Sequence, residues 1–136
     1  MRATPRSALL IVAAALLLPS SAGAANPVGF QLDLVDGQHI ECSIDGGALD
    51  CLNYNATATK TCDFGGAVPA QVLKRTGAPK LDTFCVDEAF HGFPKLKVGK
   101  TWAKGAYKCR IRKDRTALRC ANRTAMYTIW SAQTTA

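Results

Sequence analysis

The stretch Cys42-Ser43-Ile44-Asp45-Gly46-Gly47-Ala48-Leu49-Asp50-Cys51-Leu52-Asn53 decides the fold. It returns near the C-terminus as Cys109-Arg110-Ile111-Arg112-Lys113-Asp114-Arg115-Thr116-Ala117-Leu118-Arg119-Cys120-Ala121-Asn122. The second copy carries two extra residues between Arg112 and Ala117. With those placed in a turn, Cys42, Ile44, Ala48, Leu49, Cys51 and Asn53 align with Cys109, Ile111, Ala117, Leu118, Cys120 and Asn122. Gly46-Gly47, flanked by alternating residues, is a favoured two-residue hairpin loop. It sets Asp45 opposite Ala48, Ile44 opposite Leu49, Ser43 opposite Asp50 and Cys42 opposite Cys51. Hydrogen-bonded and open pairs alternate outward from such a loop, so the cysteines form an open pair with Cα atoms about 4.5 Å apart. That lies at the short end of the disulfide range. The second hairpin repeats the pattern around a four-residue loop, Lys113 to Thr116. Because side chains alternate along a strand, both cysteines, the isoleucine and the leucine of each copy face inward. Cys62 and Cys85 are left for each other, one of several connectivities open to six cysteines.

Outside the repeat the chain also reads as strands and turns. Phe30, Leu32 and Leu34 alternate with Gln31 and Asp33 ahead of Asp36-Gly37, and Val68 to Leu73, Thr83 to Val86, Lys95 to Val98 and Thr101 to Ala103 lean towards β structure. Gly65-Gly66, Gly77, Pro79, Gly92, Pro94, Gly99 and Gly105 break them. Tyr127 to Trp130 can pair as a last strand, Ala56 to Cys62 has room for one helical turn at most, and residues 131–136 read as a loose tail. The expected fold is all-β: a small disulfide-stapled barrel or sandwich of about 7–9 short strands, built from two pseudo-repeated hairpin units.

Residues 1–24 read as a signal peptide. Arg2 and Arg6 precede an apolar run from Ala8 to Leu18, and Ala22-Gly23-Ala24 supplies small residues for cleavage before Ala25. The run is too short for a transmembrane helix, and no later segment is longer. No cysteine lies near the cleavage point to carry a lipid. The expectation is one secreted domain over residues 25–130, outside the cell or in its envelope. An even number of cysteines in an exported chain reads as a disulfide framework. A zinc site would need close cysteine pairs with histidines nearby, and that spacing is absent; no metal or other cofactor is expected.

Charge separates the two copies. Residues 25–90 hold 4 basic and 9 acidic side chains, and residues 91–136 hold 11 basic and 1 acidic. The outward positions of the first hairpin are Glu41, Asp45 and Asp50. Those of the second are Lys108, Arg112 and Arg119, with Arg110 and Arg123 on the same side and Lys113 and Arg115 in the loop. The register sets Arg110 directly across from Arg119, and like charges so placed are destabilising. Either an anionic ligand offsets them, or the hairpin is a solvated surface or packs near the acidic one.

The segments Ile40-Glu41-Cys42, Cys85-Val86-Asp87, Leu96 to Trp102, Gly105-Ala106-Tyr107-Lys108-Cys109 and Leu118 to Asn122 resemble the DUF6636 family of small exported bacterial proteins, common in actinobacteria. The resemblance spans residues 30 to 123, and Gly99-x-Thr101-Trp102-x-x-Gly105-x-Tyr107-x-Cys109 is its most specific part. Members often carry His-Gly-Phe near the final strand, where this chain has Thr124-Ala125-Met126-Tyr127. The resemblance implies export, disulfides and a β fold, and it brings no activity.

Catalytic patterns are sparse, and no catalytic residue is assigned. His39 and His91 are the two histidines. His39 and Glu41, two apart on a strand, could with Arg110 imitate the base, acid and phosphate clamp of a small ribonuclease-like hydrolase. No nucleophile-elbow serine is present. Asp82, Asp87 and Glu88 follow no calcium-loop pattern. Trp102, Tyr107 and Trp130 could stack sugars, though core aromatics are the commoner outcome. Asn55 and Asn122 head glycosylation sequons that carry no weight in a bacterial protein. The leading expectation is a secreted, non-enzymatic binding domain whose basic hairpin (Lys108, Arg110, Arg112, Lys113, Arg115, Arg119, Arg123) contacts an anionic cell-surface polymer or an acidic protein. A small hydrolase and an inhibitor presenting rigid hairpin loops are the alternatives.

Overall fold

The computed structural model describes residues 27–58, 60–87 and 92–131. The expected signal peptide over residues 1–24, Glu88, His91 and the tail from residue 132 lie outside the described residues. Nine strands run in chain order: β1 (Gly29–Asp33), β2 (His39–Asp45), β3 (Ala48–Asn53), β4 (Gly66–Leu73), β5 (Lys80–Val86), β6 (Thr101–Lys104), β7 (Tyr107–Ile111), β8 (Ala117–Ala121) and β9 (Met126–Trp130). They form two antiparallel meanders, β1 to β5 and β6 to β9, packed as an open sandwich rather than a closed barrel. No helix among the described residues is long and apolar enough to cross a membrane.

Both hairpins take the register that the repeat dictates. In β2–β3, Cys42 pairs with Cys51, Ser43 with Asp50, Ile44 with Leu49 and Asp45 with Ala48. Gly46 and Gly47 both take positive φ, 55° and 81°, as a turn that follows the right-handed strand twist requires. In β7–β8, Cys109 pairs with Cys120, Arg110 with Arg119 and Ile111 with Leu118. The disulfides are Cys42–Cys51, Cys62–Cys85 and Cys109–Cys120.

The two hairpins sit in different sheets and meet in the middle. Cys42, Cys51, Leu49, Cys109, Ile111, Leu118 and Cys120 are buried in one core cluster with Phe30, Leu34, Leu73, Trp102 and Tyr107. The Sγ atoms of Cys42, Cys51 and Cys120 all lie within 4.8 Å of one another. All three are bridged, so they pack as apolar groups and offer no thiolate to a metal. Leu49 and Leu118 hold equivalent places in the repeat and are fully buried; truncating either to Ala removes about 3 kcal/mol of stability.

Three expectations need correction. Lys95 to Val98 is no strand: Lys95 alone makes a parallel bridge to Gln31, because Pro94 offers only its carbonyl, to Gln31, before Leu96 donates back to the same residue. Glu41 keeps the outer side of its sheet but is buried there rather than exposed, since Tyr54 returns from the loop after β3 and donates its hydroxyl to Oε2 at 3.1 Å. Ser131 is no part of a loose tail: it is buried, and its amide donates to the Thr116 carbonyl at 2.8 Å. Pro69, inside β4, is tolerated because the β3–β4 ladder ends at the pair Leu52 with Ala70, leaving Pro69 one residue outside it on that side.

Candidate anion-binding face

Inward cysteines, Ile111 and Leu118 leave Lys108, Arg110 and Arg119 on the outer side of the four-stranded sheet, all exposed. The middle row of that face reads Thr101, Arg110, Arg119, Thr128 across the strands. The next row reads Ala103, Lys108, Ala121, Met126. Small neighbours leave the long basic side chains standing clear of the sheet. Among the described residues no carboxylate lies within 4.0 Å of Arg110 or Arg119, although the register holds the two side by side.

The seven basic residues do not all converge. Arg110, Arg112, Lys113 and Arg119 border one open surface cavity of about 450 Å³, together with Asp114. Arg112 lies 3.5 Å from Asp114, whose carboxyl is held below its ordinary value by hydrogen bonds from Thr116 and, secondarily, by Arg112. The guanidinium of Arg112 also stands 5.7 Å from the ring centre of Trp130, which is 48% exposed on the same face. Arg115 occupies the left-handed region, with φ at 57°, and its carbonyl accepts the amide of Val35, in the turn between β1 and β2. Lys108 and Arg123 border a separate cavity of about 300 Å³ at the opposite end of the hairpin. The register could place Arg110 against Arg119, but only the fold shows Trp130 beside Arg112.

The hydrolase trio is not assembled. Glu41 and Arg110 point away from core-facing Cys42 and Cys109, and so stand on opposite outer faces of the sandwich. His39 instead pairs through Nδ1 with Asp33 at 2.7 Å, and its Nε2 lies 3.7 Å from Glu41. The bond to His39 holds the Asp33 carboxyl below its ordinary value against burial, and Lys95, 3.5 Å away, adds to the effect. Burial first, then Glu41, pushes the Tyr54 hydroxyl up to about 12. This cluster braces the first sheet.

Asp45, Asp50 and Asp82 share the outer side of the first sheet. Burial, then repulsion from Asp45 and Asp82, pushes the Asp50 carboxyl up to about 6. The acidic and basic hairpins therefore face away from each other and do not neutralise one another. Of the aromatics, Trp102 and Tyr107 are core groups: Trp102 donates its indole N–H to the Pro27 carbonyl at 3.0 Å, and Tyr107 its hydroxyl to the Gly47 carbonyl at 2.5 Å.

The chain matches no family model, no curated protein and no solved structure.

Proposed function

We propose that this protein is an exported, non-enzymatic binding module, and that the outer face of β6–β9 takes an anionic polymer outside the cell or in its envelope. The observation that carries this reading is the cross-strand pair Arg110 and Arg119, held together without a carboxylate within 4.0 Å among the described residues. Such a pair costs stability in the free protein and is relieved when an anion bridges it. Three disulfides suit an oxidising compartment, and the charged leader with its apolar run suits export. Membership of the DUF6636 family, proposed on residues 99–109, accords with both.

Retention on an anionic matrix tests the reading. The disulfide-bonded protein should be held at low salt and released as salt rises, and replacing Arg110, Arg112 and Arg119 by Ser should abolish most of the retention. Retention indifferent to salt and to these substitutions would refute the reading.

A further inference from the structure

The basic face carries an exposed aromatic group in a fixed place. Trp130 pairs with Ala117 across the ladder, and the Arg112 amide donates to the Ala117 carbonyl, so Trp130 and Arg112 flank one small, fully buried residue. The indole thus projects beside a guanidinium on a strand instead of wandering on a loop. Lys108 and Arg110 on the interior strand β7, and Arg112 just past its end, follow one another at every second position across the middle of this platform. That repeat is about 7 Å, comparable with the spacing of successive phosphates in an extended single strand. Arg119 doubles the charge at the middle position. Arginine is also the cation that grips a phosphate with two parallel N–H donors and lies flat against a base. An open sheet face with a stripe of cations and a stacking ring at one end suits a chain that alternates anions and planar groups. It offers no protruding helix to enter the groove of a duplex.

We propose that the outer face of β6–β9 binds single-stranded nucleic acid, with phosphates on Arg110 and Arg119 and a base stacked on Trp130. This rests on the reading of that face as an anion-binding surface and adds the chemistry of the ligand: phosphodiesters bearing aromatic bases.

Fluorescence anisotropy of the disulfide-bonded protein with four labelled probes tests it: a thymidine 15-mer, the same 15-mer without bases, its duplex, and polyglutamate of similar charge. The thymidine strand should bind tightest, with an affinity that falls steeply with salt. Replacing Arg110 and Arg119 by Ser should weaken both phosphodiester strands and flatten the salt slope by about 1.4, two phosphate contacts' worth. Trp130→Ala should weaken the thymidine strand about tenfold and leave the strand without bases unchanged, which also shows that the variant is folded. Trp130→Phe should recover part of the loss. Equal binding of the two single strands, untouched by Trp130→Ala, overturns the base contact and points to a polyol-phosphate polymer. Binding of polyglutamate alone overturns the nucleic-acid inference and leaves the anion-binding reading standing. If none of the four binds, both fail.

Discussion

The rings of Phe30 and Trp102 lie 5.0 Å apart at the centre of the sandwich, and each stands across a ladder from the first cysteine of its own hairpin. The row in one sheet is Phe30, Cys42, Cys51, Gln71; in the other it is Trp102, Cys109, Cys120, Tyr127. The repeat is therefore four strands long, and the two copies pack core to core. β5 is an addition to the first.

The disulfides should not be equally reducible. Cys62 and Cys85 are partly exposed, whereas the four hairpin cysteines are at most 1% exposed. A limiting reductant should open Cys62–Cys85 first, as differential alkylation and peptide mass spectrometry would show. Replacing Cys42 and Cys51 together by Ala should lower unfolding stability by about 3 kcal/mol from loop entropy alone. Denaturant titration under oxidising conditions measures this.

Arg119→Glu should raise stability while abolishing polyanion retention. The substitution turns a like-charged cross-strand pair into an attractive one, for a gain of about 0.5 kcal/mol. Opposite movement of stability and binding marks a residue kept for function; a loss of stability would mean that Arg110 and Arg119 do not repel in solution.

Arg115 holds a conformation that suits glycine, since its φ is 57°. Arg115→Gly should stabilise the loop by about 1 kcal/mol, seen as a higher midpoint in urea. The docking of the loop on the first sheet should survive, because the carbonyl that takes the Val35 amide belongs to the backbone.

Tyr107→Phe should cost about 1 kcal/mol. The lost hydroxyl is the donor that ties the start of β7 to the Gly46-Gly47 turn of the other copy. Hydrogen exchange at that turn should quicken more than at the Lys113 to Thr116 loop.

Asp50 should make stability fall as pH rises. Its folded value of about 6 lies above the ordinary 3.8, so between these values the folded protein keeps a proton that the unfolded chain has released. The gain is complete below about pH 4 and is lost through about pH 6. Asp50→Asn should flatten this part of the profile and stabilise the protein at pH 7 by about 1 kcal/mol once solvent screening is allowed. Thermal unfolding across pH 4 to 7 checks the sign.

The hairpins were legible because one glycine pair and one cysteine pair fix a two-strand register, and with it the meeting of Arg110 and Arg119. The outer strands of each copy were not. Phe30 and Cys42 are 12 residues apart, whereas Trp102 and Cys109 are 7 apart, so the alignment that finds the hairpins loses the aromatics. Period-two alternation also names a face without naming what covers it. It put Glu41 outside, and Tyr54 closed over it from a loop that has no periodic signal. Trp130 beside Arg112 was hidden for the same reason: it depends on the pairing of β8 with β9, whose register no turn of fixed length announced.

Two identical chains around a twofold axis must show the same charge on both outer faces. Here the two four-stranded copies occupy one chain, and that constraint is lifted. Asp45 and Asp50 can mark one side while Arg110 and Arg119 mark the other, above a shared interior of stacked disulfides. The molecule consequently carries a charge dipole across its thickness, and in an external field of fixed charge, such as an anionic wall, it has a preferred way to face.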